Sequence, residues 1–188
     1  MEEWKEYTVR DIADFQKGFA FKSSDYKENG IKIIKVTNLN QNDYSNCVCI
    51  DKSMVSLYEK YKLSKDDVVI STVGSWPTNQ ESVVGKVSRI PGYVSGSLLN
   101  QNAVRLKARH NFDQLFLYYL LASPLFAKYI ANTAQGSANQ ASITLEDIKN
   151  YRFCCPDYNK QRRISAILKT IDDKIELNNR INHNLWIN

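Results

Sequence analysis

Four cysteines are the first side chains whose spacing invites metal chemistry: Cys47 and Cys49, one residue apart, and Cys154 and Cys155, adjacent. A zinc half-site needs at least two intervening residues if both sulfurs are to turn onto one ion, and neither pair has them. His110 and His183 complete no such set. On a strand, Cys47 and Cys49 share a face, which suits buried, reduced thiols of a cytosolic protein. Carboxylate chemistry is no better supported. Asp66-Asp67 reads as the charged start of a strand rather than a metal pair. A nuclease site needs Pro-Asp followed by Glu-x-Lys, but Pro156-Asp157 is followed by Lys174 and Glu176, in reverse order. No Gly-rich phosphate loop, no Gly-x-Ser-x-Gly turn and no Asn-Pro-Pro-aromatic methyltransferase tetrapeptide occurs in the sequence.

What remains is uncharged and polar. Ser, Thr, Asn and Gln crowd residues 37–46, 71–82, 95–102 and 135–140. Their donors and acceptors match base edges and phosphate oxygens. Ordinary turns have the same composition, so this alone decides nothing.

Caps, breakers and periodicity give the elements that hold these loops. Thr8 caps a short helix with Asp11 at its third position, and that helix runs until just before Lys17-Gly18. A loop covers residues 18–24. Ile31 to Thr37 reads as a buried strand and residues 38–43 as a turn. Ser53 caps a helix to about Tyr61. Asp67 to Val73 is a strand, followed by a loop through Trp76, which braces it. Strands take residues 83–90 and 103–107, with a Gly/Ser/Asn loop at 95–102 between them. Asp113 to Ala122 is an apolar helix. Ser123-Pro124 starts another, with Ser as cap and Pro at the first position. Residues 135–140 break structure, Thr144 and Asp147 cap a short helix, and a strand covers 150–154. The fold class is α+β: a domain over residues 1–155, then one long helix over 156–188.

Composition fits a soluble globular chain of 188 residues, 43% hydrophobic and 24% charged, with eleven tyrosines that serve either a binding surface or the core. Of 25 basic and 20 acidic residues, 8 and 4 lie in residues 149–188. The first 148 residues are thus nearly neutral, and any anion-facing patch there must come from arrangement. The opening residues are polar and charged, and the most apolar stretch, 115–131, is broken by Ser123, Pro124 and Lys128. No leader or membrane span is expected, and the compartment is the cytoplasm.

In the last helix Ile164, Leu168, Ile171, Ile175, Asn178, Asn182 and Leu185 follow alternating steps of four and three, a coiled-coil seam widened by Ile167 and Ile181. Asparagines in a seam lower stability but fix register. A helix folded back on its own domain gives the same pattern. A helix directly after a complete domain more often packs on another chain.

Together these pieces resemble the specificity subunit of type I restriction–modification systems. The resemblance rests on Thr8, Asp11 and Ile12, then Lys17 to Ser23, then Gly30 to Ile34 with Thr37 and Asn38. It continues through Leu63 to Ser71 with Gly74, Asn100-Gln101-Asn102, and Gly136-Ser137 with Ile143. Its most specific part is Pro156, Gln161, Ile164, Ile167, Leu168, Asp172, Ile175, Asn178 and Leu185.

The resemblance implies a target recognition domain similar to that of adenine methyltransferases, followed by a long coiled-coil helix. Family members carry this unit twice, with the two helices antiparallel and each domain reading half of a split site in double-stranded DNA. This sequence departs in holding one unit, either as a natural half-subunit or as a fragment of a two-unit protein. The resemblance further implies methylation and motor–nuclease subunits as partners. S-adenosylmethionine, ATP and magnesium then sit on those partners, and this chain has no cofactor, metal or catalytic residue of its own. Two copies joined through the seam, Ile164 to Leu185, would mimic one full-length subunit and read a palindromic target. Lys17, Lys22, Lys35, Arg105 and Lys107 are candidates for phosphate contacts. Asn38, Asn40, Gln41, Thr72, Ser75, Thr78, Asn79, Gln80, Asn100, Gln101, Asn139 and Gln140 are candidates for contacts at or near bases. The alternative from another class is a stand-alone small DNA-modifying enzyme with an unrecognised site.

Overall fold

The structure is a computed structural model that describes residues 4–75, 84–137 and 140–186. In chain order its elements are β1 (Lys5–Thr8), α1 (Val9–Ile12), β2 (Ala13–Lys17), β3 (Ile31–Ile34), α2 (Val36–Gln41), β4 (Cys49–Ile50) and a 3-10 segment (Lys52–Tyr61). Then come β5 (Val68–Ser71), β6 (Val73–Gly74), β7 (Val87–Arg89), β8 (Leu98–Leu99), β9 (Ala103–Ala108), α3 (Gln114–Leu121) and α4 (Pro124–Thr133). The chain ends with β10 (Gln135–Ser137), β11 (Gln140–Ser142), α5 (Leu145–Lys149), β12 (Arg152–Cys155) and α6 (Tyr158–Trp186).

The central sheet is antiparallel, in the order β2-β9-β5-β7. Its middle strand β5 is buried at all four residues, so Val68 and Ile70 face one layer and Val69 the other. On the first side lie α3 and α4, whose Leu117, Leu121, Phe126 and Ile130 pack on Val68, Ile70, Val104 and Leu106. On the other, Val69 joins Ile34, Leu39, Leu63 and Leu99. A smaller sheet, β4-β3-β8, carries Ile33, Ile50 and Leu98 into a third cluster. β1 pairs with β12, tying residues 5–8 to 152–155 just before α6 begins.

The α+β class holds, and several elements differ from their expected form. The Thr8/Asp11 cap is present, with Thr8 N–H donating to Asp11 Oδ2 at 2.7 Å, but α1 stops after four residues. The next five residues extend because they pair along β9, a partner some 90 residues away. Val36–Gln41 is helix rather than strand end and turn: Asn38 Oδ1 accepts from Lys35 N–H at 3.0 Å, and Asn42 closes the helix with φ of 51°. Asp51, not Ser53, caps the 3-10 segment. Residues 135–142 contribute the hairpin β10–β11, which adds to β6. The caps at Ser123 and Thr144 lie where expected, and Asp113, read as the first residue of its helix, is the cap of α3.

Candidate nucleic-acid interface

Five loops meet at one edge of the central sheet, and backbone hydrogen bonds tie them in sequence. Asn100 N–H donates to the Ile34 carbonyl at 3.0 Å, joining the loop before β9 to the start of α2. Phe19 N–H reaches Leu99 at 2.9 Å and Gln101 N–H reaches Phe19 at 2.9 Å, which lays the loop after β2 against the same residues. Thr72 N–H donates to the Asn102 carbonyl at 2.8 Å and the Thr72 carbonyl accepts from Ile143 N–H at 2.9 Å, bringing in the β5–β6 turn and the end of the β10–β11 hairpin. Two local features allow this convergence. Asn102 takes a left-handed conformation, φ 68°, that asparagine tolerates better than most side chains. Gly18 lies so close to Asn100 that a Cβ would stand 1.8 Å from its carbonyl oxygen.

The loop after β2 is also braced from beneath. Phe19 packs on Phe21, Tyr58 and Tyr61 with ring centroids 5.0 to 5.1 Å apart. Rigid aromatic support fixes the backbone while the side chains on its outer face remain free.

Three of the residues singled out from sequence share a cavity at this edge. Lys17, Thr72 and Gln101 line a concavity of about 370 Å³ together with Gly18, Asn102 and Thr144. Lys22 is exposed on the braced loop, and Gln41 is exposed at the end of α2. Lys35 sits over the Tyr26 ring at 4.5 Å, which orients its ammonium without neutralising it. Gln140 is exposed beside Ala141, which pairs with Gly74, one residue from the half-buried Ser75.

Other candidates are committed elsewhere. Asn38 uses its amide to bond Lys35 N–H and the Asp43 carbonyl. Asn100 is 5% exposed and forms part of the scaffold. Asn40 turns its Oδ1 inward, buried with no hydrogen-bond partner among the described residues, and its carbonyl accepts from Lys86 Nζ at 2.5 Å. Arg105 donates to the carbonyls of Lys60 and Lys62 and stands 3.9 Å from buried Asp67, so its guanidinium is a brace and not a free cation. Lys107 lies 3.7 Å from Asp67, about 13 Å along β9 from the loop edge. Burial pushes the Asp67 carboxyl above its ordinary value, outweighing the Ser64 N–H, Lys107 and Arg105 that favour its charge. Thr78, Asn79, Gln80, Asn139 and Trp76 lie outside the described residues. Lys86, Asn102 and Thr144 are at this edge and were not singled out. Asn102 and Thr144 had readable signals, a left-handed-tolerant residue in a turn and a cap. Lys86 had none, because it depends on how Gly85 and Lys86 meet β5.

Helix α6 meets the domain on a face of its own. Gln161 and Ser165 are buried, and Asp172 Oδ2 accepts from Tyr119 Oη at 2.7 Å. The expected seam is rotated away from that face. Ile164 is half-buried at its border and Leu168 is half-buried on the same stripe as Gln161, Ser165 and Asp172, while Ile171 and Ile175 are 49% and 53% exposed, with Ile167, Leu177 and Ile181 also bare. Asn178 and Asn182 are exposed, and the Leu185 side chain lies outside the described residues. Among the described residues, no three His, Cys, Asp or Glu side chains gather as a metal-binding set, and no helix is long and apolar enough to cross a membrane.

Residues 1–185 match the family described as type I restriction modification DNA specificity domain. The chain is 25% identical over 181 residues to the type I restriction enzyme MjaVIII specificity subunit of Methanocaldococcus jannaschii, covering 94% of this chain and 41% of that one. It is 24% identical over 188 residues to the HindI specificity subunit of Haemophilus influenzae, covering 98% and 39%. The chain thus spans about two fifths of the length of these curated relatives. Its fold is similar to the type I restriction–modification S subunit from M. genitalium, with a TM-score of 0.65 at 19% identity over 93% of this chain and 40% of that one. It is also similar to the HsdS subunit from Thermoanaerobacter tengcongensis, with a TM-score of 0.62 at 18% identity over 93% and 38%. The chain belongs to the type I restriction modification DNA specificity domain family.

Proposed function

We propose that this chain is the sequence-reading component of a type I restriction–modification complex in the cytoplasm. The convergence of five loops on one sheet edge carries the reading. Lys17 and Gln101 line one concavity there, which supports the reading because cations position the duplex and amides read it. Lys17, Lys22 and Lys35 take phosphates. Thr72, Ser75, Gln101, Gln41 and Gln140 lie at or near base edges in the major groove. Asn38, Asn40 and Asn100 shape the loops from behind. The chain does no chemistry itself. Methylation subunits carrying S-adenosylmethionine, and motor–nuclease subunits using ATP and magnesium, act at the site it selects.

The bare stripe on α6 supports a further part of this reading. Ile167, Ile171, Ile175 and Ile181 form an exposed apolar run beside the docked face, and such a run is an aggregation hazard unless covered. A second copy covers it under twofold symmetry, the commonest closure for identical chains. Two identical recognition domains then read a palindromic target with a central spacer.

Methylation mapping tests both parts. Cells expressing this chain with its cognate methylation subunits should methylate adenines in one palindromic, interrupted motif, and neither protein alone should do so. Methylation by this chain alone overturns the non-catalytic assignment. An asymmetric motif overturns the two-copy arrangement.

A further inference from the structure

The joint between the recognition domain and α6 is polar, unlike the apolar core beside it. Gln161 is 1% exposed and uses both ends of its amide. Its Oε1 accepts from Asp113 N–H at 2.9 Å, and its Nε2 donates to the Pro156 carbonyl at 2.9 Å. Asp113 also caps α3, accepting from Phe116 N–H at 2.8 Å, so Gln161 grips the start of that helix. Toward the other end of α3, Tyr119 Oη donates to Asp172 at 2.7 Å. Burial, and after it the Asp172 hydrogen bond, pushes the Tyr119 hydroxyl well above its ordinary value, so it remains a donor at neutral pH. Between the two grips Ser165, 2% exposed, presents a side chain small enough for close approach.

Two directional grips on one helix restrain more than apolar contact would. Apolar burial is non-directional and tolerates a slide of one helical step. Hydrogen bonds fall off steeply with distance and angle. The grips on α6 are 11 residues apart, roughly 16 Å, so a slide of one residue, about 1.5 Å, strains both. A tilt of α6 against α3 opens at least one of them.

We propose that Gln161 and the Tyr119–Asp172 pair are positioning residues that fix the angle of the recognition domain on α6, and so the spacing allowed between the two half-sites. This rests on the two-copy reading above. The lever is long. From Gln161 to the end of α6 at Trp186 is roughly 38 Å, so a tilt of about 5° displaces the far end by about 3.4 Å, one base-pair step. Looseness of a few degrees at this joint therefore moves the far end of α6 by a distance comparable to one base-pair step.

The test uses the reconstituted complex of full-length chain and methylation subunits. Its probes are duplexes carrying the mapped half-sites, with the spacer changed by one and two base pairs. Wild type should lose about tenfold in methylation rate per base pair of change, the scale set by forcing DNA to twist and stretch. Tyr119→Phe keeps the ring and removes one hydroxyl. It should flatten the loss to about threefold or less while leaving single-base preference within each half-site unchanged. Asp172→Asn alone retains an acceptor oxygen for the Tyr119 hydroxyl and should keep the sharp profile. A merely structural role would lower methylation equally at every spacing and leave the profile's shape intact, and that result overturns the proposal. A sharp wild-type profile that Tyr119→Phe leaves unchanged overturns it alone. A wild-type complex indifferent to spacing overturns the two-copy reading and this proposal together.

Discussion

Gly18→Ala isolates the physics of the loop edge. A Cβ at position 18 would stand 1.8 Å from the Asn100 carbonyl oxygen and 2.4 Å from its carbon. Ordinary carbon contact begins near 3.5 Å, so the two loops must separate by roughly 1.5 Å or more. The neighbour is backbone and cannot swing aside. Three hydrogen bonds span this gap: Gly18 N–H to Ala103 at 3.0 Å, Phe19 N–H to Leu99 at 2.9 Å and Gln101 N–H to Phe19 at 2.9 Å. Each contributes about 1 kcal/mol, so losing them costs about 3 kcal/mol, against a total stability on the order of 10 kcal/mol. Urea denaturation followed by circular dichroism should show the midpoint falling with an unchanged m-value. Gly92→Ala is the control: a Cβ there meets only the Lys65 side chain, at 3.5 Å, and should change stability by less than about 0.5 kcal/mol. Because Lys17, Gln101 and Lys22 ride on these loops, specific DNA affinity should fall in Gly18→Ala at a temperature where the chain is still folded. A Gly18→Ala chain within about 0.5 kcal/mol of wild type would refute the close-approach argument.

Three further outcomes follow from the geometry. Lys17→Ala or Lys22→Ala should weaken binding of all duplexes alike and reduce the salt slope of log K by about 0.9 each, whereas Arg105→Ala should leave the slope unchanged and cost about 2 kcal/mol of stability, because its partners are internal carbonyls; a lower slope in Arg105→Ala would show that its guanidinium is on DNA. Burial raises the Asp67 carboxyl, so the folded chain keeps that proton longer than the unfolded one and stability is lost as pH climbs from the ordinary value of 3.8 through the folded value. Asp67→Asn carries no such proton, so its stability relative to wild type should rise across that window, and a flat or falling difference in pH-dependent urea midpoints contradicts the sign. If two copies pair through α6 as proposed, Ile171→Asp sets a carboxylate on the bare stripe and should leave only monomer in sedimentation, while a wild type already monomeric at high micromolar concentration refutes self-pairing.

What was legible in the sequence was local. The capping pairs Thr8/Asp11 and Thr144/Asp147, and the starts at Asp113 and Ser123-Pro124, each involve bonds within three residues, and all four are in place. What was misread was decided at long range. Ala13–Lys17 carries no strong preference of its own and extends because β9 offers a ladder. Arg105 advertises a charge, but its partners, the carbonyls of Lys60 and Lys62, are more than 40 residues away and carry no sequence mark, since every residue has a carbonyl.

The last helix shows the same limit from the other side. Its length as one long helix matches the expectation, and its apolar period predicts packing on the apolar face. The domain instead holds the polar face, through Gln161, Ser165 and Asp172, because α3 presents there a free cap N–H and a tyrosine hydroxyl that need partners. Buried polar groups must be satisfied, so a polar stripe complementary to those groups binds them more selectively than an isoleucine stripe would. That choice leaves Ile167, Ile171, Ile175 and Ile181 exposed, the face on which the proposed pairing with a second copy rests.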